Sequence, residues 1–407
     1  MAIDNKDKKV LKSSIEREQN EVACSAECEK IKGSKNLNVP HLRFPEFSGE
    51  WVTKSINDLA VVIGGGTPDT TVKSYWDGEI QWFTPSEIGK NKYVDSSLRT
   101  ITEVGLNNSS AKLLPPNTIL LSSRATIGEC SLSLRECATN QGFQCLVSKK
   151  CNVDFLYYLI QTKKKDLIRK SCGSTFLEIS ANEVRKIQVS VPSDVEQQKI
   201  AELLSLIDER IATQNKIIDK LQSLIKGISN KIFATIQGIE YRMGNIVTIS
   251  NGNSNVQDAV TESKDGLYPF FDRSENIKYL PTFLFDKEAI IYPGEGAEFM
   301  PRYFRGKFAL HQRCYAIFDF KEIINAQFLY FYLKTQNSYF VRNAVGSTVP
   351  SLRLDTFQKL KVIIPPKKIQ HSVSLYLSSM EQKCNVEKDI LQKLLKQKQY
   401  LLRQMFI

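Results

Sequence analysis

Residues 173–192 read GSTFLEISANEVRKIQVSVP, and residues 346–365 read GSTVPSLRLDTFQKLKVIIP. The offset is 173 with no gap, and 6 of 20 positions are identical. Just upstream, FLYYLIQT at 155–162 and FLYFYLKT at 328–335 keep that offset and share 4 of 8 positions. Unrelated sequences would share about one or two of these 28 positions, since common residues each make up roughly 5–7% of a chain. The chain is therefore an internal repeat. Further upstream, IGGGTP at 63–68 resembles ISNGNS at 249–254, but at an offset of 186. One repeat has gained or lost about 13 residues in its middle.

Downstream, each repeat ends in a heptad seam. In the first, Ile200, Leu204, Ile207 and Ile211 are followed by Gln214, then Ile218, Leu221, Ile225, Ile228 and Ile232. In the second, Val373, Leu377, Met380 and Cys384 are followed by Glu387, then Leu391, Leu394, Lys398, Leu401 and Met405. Steps of 3 and 4 sustained this long make a narrow stripe that needs a partner helix. Two separate helices, each packed on its own domain, would be the plainer reading. The pattern favours pairing of the two, antiparallel under pseudo-two-fold symmetry. Gln214 would then face Glu387, and Ile228 would face Val373. A central polar layer fixes register at some cost in stability. A helix of roughly 40 residues spans about 60 Å.

The segments before the helices read as mixed α/β. Runs such as TILLSS (118–123) and AIIYPG (289–294) alternate with Gly, Pro and Asn turns. Pro192 and Pro365-Pro366 mark junctions into the helices. The layout expected is a mobile tail at 1–39, a domain at 40–192, a central helix at 193–235, a second domain at 236–366 and a C-terminal helix at 367–407. The fold class is α/β of the α+β kind: two similar mixed domains separated by two long antiparallel coiled-coil helices.

The 407 residues carry 55 Lys and Arg against 44 Asp and Glu, a net charge of +11. A modest positive excess is compatible with a polyanionic partner such as nucleic acid. Globular hydrophobic and charged fractions of 42% and 24% argue against large-scale disorder. No apolar run approaches the length of a membrane span, and no secretory signal is visible at the start. The nine cysteines are read as reduced thiols, and three scattered histidines offer no zinc spacing around Cys24 and Cys28.

Catalytic signatures are missing. There is no phosphate-binding loop, no G-x-S-x-G and no H-E-x-x-H. Gly64-Gly65-Gly66 reads as a tight loop rather than a phosphate cradle. Pro115-Pro116 and Pro365-Pro366 lack the neighbours that amino-methyltransferases use to hold a base. No carboxylate set for a nuclease metal can be nominated. A non-enzymatic double module joined by helices fits best. It suits either duplex DNA with two unlike half-sites or, alternatively, a coiled-coil adaptor that binds proteins only.

Several stretches match a known family. His41-Leu42-Arg43-Phe44-Pro45-Glu46-Phe47 followed by Ser48-Gly49-Glu50-Trp51 resembles the leading motif of the specificity (S) subunit of Type I restriction-modification systems. Gln81-Trp82-Phe83-Thr84-Pro85-Ser86-Glu87-Ile88, Ser123-Arg124-Ala125-Thr126-Ile127-Gly128 and Asn140-Gln141-Gly142-Phe143 resemble its recognition-domain stretches. Pro192 leading to Glu196-Gln197-Gln198-Lys199-Ile200-Ala201 resembles its junction into the spacer helix. The second repeat departs from the pattern. It has Ile291-Tyr292-Pro293-Gly294-Glu295-Gly296-Ala297, then His311-Gln312-Arg313, and a junction Pro365-Pro366-Lys367-Lys368-Ile369-Gln370 without the Glu-Gln pair.

The resemblance implies two target-recognition domains, each reading one half of a split site in double-stranded DNA. The helices would set the gap and dock two modification (methyltransferase) subunits, which restriction (translocase and nuclease) subunits join. The chain itself would be non-catalytic, bind no cofactor and work in a bacterial or archaeal cytoplasm. S-adenosylmethionine, ATP and Mg would sit on the partners.

Base reading needs directional donors and acceptors, while phosphate contacts only position. The candidates in the first module are Thr84, Ser86, Lys90, Lys92, Ser122, Arg124, Thr126, Asn140 and Gln141. In the second they are Arg273, Ser274, Arg302, Tyr303, Arg305 and Arg313. Asn140 and Gln141 could equally brace a loop. The basic run Lys163-Lys164-Lys165 could clamp phosphate or form a solvated helix end.

Overall fold

The structure, a computed structural model, describes residues 38–173 and 177–407. The expected tail at 1–39, with Cys24 and Cys28, lies almost wholly outside the described residues. Cα packing divides the chain into two compact units. One runs to Leu203 and includes Leu401–Ile407, and the other is Leu204–Tyr400.

The first unit opens with an antiparallel ribbon of β1 (Val52–Ser55) and β10 (Gln188–Val191). A five-stranded sheet follows, in the order β2 (Ala60–Gly64), β9 (Gln144–Ser148), β6 (Ile119–Leu121), β7 (Cys130–Ser133) and β4 (Tyr93–Val94). A three-stranded sheet orders β5 (Arg99–Ile101), β3 (Trp76–Phe83) and β8 (Cys137–Thr139). These strands are rich in Val, Ile, Leu and Cys and are buried along β6, β7 and β8, as expected of sheets covered on both faces. Helix α1 (Val153–Thr162) has Asn152 as N-cap, whose Oδ1 accepts the Phe155 N–H at 2.9 Å.

The second unit repeats the plan. Its ribbon pairs β11 (Ile239–Arg242) with β18 (Lys361–Ile364). Its six-stranded sheet runs β12 (Thr248–Asn251), β17 (Cys314–Phe318), β15 (Phe285–Pro293), β16 (Arg302–Leu310), β13 (Tyr268–Phe271), β14 (Lys278–Leu280). Helix α3 (Ala326–Thr335) is capped by Asn325, with Phe328 N–H at 2.9 Å. In both units the strand before the variable middle pairs in parallel with a later strand: β3 with β8, and β13 with β16. The difference in repeat length falls between β3 and β6, where the first unit carries β4 and β5 and the second only β14.

The long helices are α2 (Asp194–Thr235) and α4 (Lys367–Gln404). Inside the second unit they run antiparallel: Asp208 pairs with Lys398 at 2.7 Å, and Gln214 with Glu387 at 2.6 Å. Ile228 and Val373 pack against one shared core cluster there. Ile207, Gln214, Ile218, Leu377, Cys384 and Leu394 are buried, whereas Ile211, Leu221, Met380, Glu387 and Leu391 are half-buried. In the first unit Ile200 is buried as well.

A glutamine ties each helix to a domain in the same way. Gln197 Oε1 accepts the Asn152 N–H at 3.0 Å while its Nε2 donates to the Pro192 carbonyl at 3.0 Å. In the second unit Gln370 does the same with Asn325 at 2.7 Å and Pro365 at 2.8 Å. Of the Glu196-Gln197 pair the second junction therefore keeps the glutamine, as Gln370, and has Ile369 in place of the glutamate. Glu196 is 1% exposed and holds Arg43 through two 2.8 Å contacts, with Trp51 Nε1 at 3.3 Å. That explains the leading motif physically: its Arg and Trp satisfy a buried carboxylate. The helix ends return the favour, since Phe406 stacks on Phe155 and Phe233 meets Phe328 edge-on.

Candidate functional site

In each unit four strand ends deliver their following loops to one place. In the first, Gly66 N–H donates to the Thr139 carbonyl at 2.8 Å, Asn140 N–H to Phe83 at 3.0 Å and Ser123 N–H to Gly142 at 2.8 Å. In the second, Ser254 N–H donates to Leu310 at 3.1 Å and His311 N–H to Phe271 at 2.9 Å. A bridge Arg124–Glu178 in the first matches Glu295–Ser351 in the second. These repeated bonds align the two loop clusters residue by residue. Thr84 corresponds to Asp272, Arg124 to Glu295, Asn140 to His311 and Gln141 to Gln312. The stretches FTPSE (83–87) and FDRSE (271–275) carry this alignment in the sequence, at an offset of 188 rather than 173.

The first cluster gathers seven of its nine sequence candidates. Thr84 closes a capping box with Glu87, at 2.7 Å from its N–H and 2.6 Å from its hydroxyl, and Ser86 lies exposed beside it. Ser122 is buried; its hydroxyl donates to the Arg124 carbonyl at 2.8 Å and meets Thr126 Oγ1 at 3.1 Å. These bonds hold a turn in which Ala125 takes φ 55° and Gly128 φ 87°. Arg124 pairs with Glu178 at 2.8 Å, with 43% of its side chain exposed. Asn140 Oδ1 accepts the Gly142 N–H at 2.9 Å, so it braces its loop, while the exposed Gln141 bonds Thr67. The glycine run is packing: a Cβ on Gly65 would lie 1.9 Å from the Asn140 carbonyl oxygen.

Two candidates of the first module stand away from this cluster. Lys92 is 7% exposed, 2.6 Å from Asp154 and over the rings of Tyr93, Tyr157 and Tyr158. Its ammonium satisfies a packed aromatic pocket, which hydropathy could not foresee because its charge partner is 62 residues along the chain. Lys90 is exposed in the following loop. The basic run is also partly spent inside the unit, Lys163 on the Ile407 carbonyl at 2.6 Å and Lys164 on Glu129 at 2.6 Å.

The second cluster surrounds a cleft of about 510 Å³. Asp272 is 5% exposed and accepts Ser274 N–H and Lys278 Nζ, each at 2.7 Å. Burial alone would push its carboxyl up, but Lys278 and Ser274 outweigh it and hold the group below the usual carboxylate range. Across the cleft Arg313 pairs with Glu295 at 2.7 Å, with the arginine 63% and the glutamate 16% exposed. Burial holds the His311 imidazole below its ordinary range, against the pull of Asp272. Arg273 lines the cleft and is exposed. Arg302 sits behind the loop and donates to the Ser274 carbonyl.

Tyr303 and Arg305 do not join this cleft. On β16 they alternate with Arg302 and Phe304, so they take the other face of the sheet. Tyr303 bonds Glu288 and packs on Tyr330, and burial pushes its hydroxyl up to about 12. The residues that sequence reasoning missed are Asp272, Glu295 and His311. No motif or charge pattern along the chain marks these carboxylates and this imidazole as facing the cleft.

The duplicated clusters and their helices match the family model for the Type I restriction modification DNA specificity domain over residues 48–223 and 239–396. The chain belongs to this family. It is 30% identical over 389 residues to the Type I restriction enzyme MjaIX specificity subunit of Methanocaldococcus jannaschii, covering 84% of this chain and 89% of that one. A Type I restriction enzyme specificity subunit of Escherichia coli is 31% identical over 175 residues, 41% of this chain and 43% of that one. Among solved structures, a Type I restriction-modification S subunit from M. genitalium superposes with a TM-score of 0.58. It is 18% identical and covers 91% of this chain and 99% of that one, a likeness of fold. The specificity-domain family thus accounts for both repeats, each match ending within a long helix. Among the described residues no group of His, Cys, Asp and Glu could hold a metal, and no helix is long and apolar enough to cross a membrane.

Proposed function

We propose that this chain is the sequence-reading subunit of a Type I restriction-modification complex, with each loop cluster reading one half of a split site in duplex DNA. The observation that carries this is the pair of aligned loop clusters within two specificity-domain matches. The side chains on them are of the types that read base edges: exposed Ser86, Thr126 and Gln141 in the first, Arg273 and Arg313 in the second. Thr84, Ser122, Asn140 and Ser274 hold the loops in shape. The net charge of +11 supplies the salt-dependent attraction to phosphate.

The long helices set the gap between half-sites and dock two modification subunits, which restriction subunits join. Apolar side chains on them support docking: Leu206 is 59% exposed, Leu224 53%, Leu375 57% and Val386 51%. The chain contributes recognition and no chemistry. S-adenosylmethionine, ATP and Mg belong to the partner subunits, and the complex works in the cytoplasm.

The test is reconstitution. The purified chain alone leaves duplex DNA unmethylated, and methylation at a split site appears when an adenine-methylating modification subunit is added. Methylation by the chain alone, or loss of all sequence preference in the complex, refutes the reading. Exchange of residues 40–192 for another recognition module changes one half-site only.

A further inference from the structure

The two loop clusters differ most in the sign of one side chain. At the bridge position the first presents a cation, Arg124, and the second a carboxylate, Glu295. A carboxylate facing a phosphate-rich ligand is repelled unless it accepts a hydrogen bond from it. In duplex DNA the groups that donate to a carboxylate in the major groove are exocyclic amines, cytosine N4 above all and adenine N6. The neighbouring carboxylate, Asp272, is already engaged by Ser274 and Lys278. Glu295 is held instead by Arg313, whose side chain is 63% exposed. Glu295 itself is 16% exposed and lines the cleft, so only the arginine end of the pair stands in solvent. The guanidinium can leave for phosphate or guanine once a base amine takes its place on the carboxylate. His311, Arg273 and Asp272 complete the charged surroundings of this cleft.

We infer that Glu295 reads the exocyclic amine of a base, so that the second half-site contains one position recognised through cytosine N4 or adenine N6. Arg313 acts as its counter-ion in the free protein and turns to the DNA in the complex. The inference rests on the DNA-reading role proposed above and adds which residue and which base chemistry carry it.

The experiment assembles full-length wild type, Glu295→Ala and Glu295→Gln with their modification subunits. Each complex selects from duplexes randomised across both half-sites at one salt concentration, and the four base pairs at each selected position are then compared. Wild type prefers one amino base at a position of one half-site by on the order of ten-fold or more. Whether C·G or A·T wins identifies the amine. Glu295→Ala erases that preference and leaves the other half-site intact, which also shows that the variant folds. Glu295→Gln keeps an acceptor and retains part of the preference. Should the alanine variant fail to fold, loss at that one position in the isosteric glutamine variant carries the result. An unchanged half-site, or a uniform loss of affinity over all sequences, overturns the inference while leaving the DNA-reading role standing. If wild type selects no split site, both fall together.

Discussion

Gln214 donates from Nε2 to the Glu387 carboxylate at 2.6 Å and to the Glu387 main-chain carbonyl at 3.0 Å. The two are 173 positions apart, the repeat offset itself, so each is the other's counterpart. This polar layer interrupts seams that are apolar at every other position but Lys398, which pairs with Asp208, and it sets how the helices slide along one another. Gln214→Leu leaves a half-buried carboxylate without its donor and lowers stability by about 1–3 kcal/mol. Replacing both by Leu restores or raises stability above wild type while loosening register. Urea unfolding of the three proteins checks the order; a double variant less stable than the single one contradicts it.

The proposed spacing role falls to the same helices. A matched insertion of four residues beside Gln214 and beside Glu387 is expected to change the permitted gap between half-sites and neither half-site sequence. Selection from randomised duplexes reads both at once. A changed half-site with an unaltered gap refutes the spacer role.

Glu196 joins the chain's early segment to α2. Glu196→Ala removes the carboxylate that Arg43 Nε and Trp51 Nε1 share, at 2.8 and 3.3 Å. The expected cost is about 2 kcal/mol, since a buried indole donor loses its acceptor and Arg43 loses its charge partner, keeping only the Gly49 and Ser48 carbonyls. The second unit has Ile369 at this place, 45% exposed, so Ile369→Ala changes stability by under about 0.5 kcal/mol. Thermal unfolding of both variants distinguishes them.

Gly227 lies inside α2, exposed, with nothing within 4 Å of where a Cβ would stand. Gly227→Ala gains about 1 kcal/mol from helix propensity. The midpoint of thermal unfolding rises; an unchanged or lower midpoint shows that the glycine is needed for something else.

Acid stability depends partly on Asp272. Its folded carboxyl titrates below the unfolded range, so its contribution is complete above the unfolded value near 3.9 and is lost as pH falls through the folded one. Unfolding of Asp272→Asn between about pH 2 and 5 should fall less steeply on acidification than that of wild type. Parallel slopes would show that the Lys278 pair contributes nothing in the folded state.

The linear patterns were legible without coordinates. A repeat offset, a heptad seam and a polar layer shared by both seams are properties of order along the chain, and helix pairing follows from them because a narrow apolar stripe cannot stay in water. The family motifs were legible too, although their reasons were not: Arg43 and Trp51 meet Glu196 across about 150 residues. What tertiary structure alone decided is which side chains share a cleft. Lys92 went to Asp154, Tyr303 took the far face of β16, and Glu295 and Asp272 came together with His311. Sheet pairing brings Asp272, Glu295 and His311 together from strand ends up to 40 positions apart, and a one-residue change of register would have turned Tyr303 to the cleft face. Sequence order specifies the frame, whereas the chemistry of each cleft depends on a register that only the folded sheets determine.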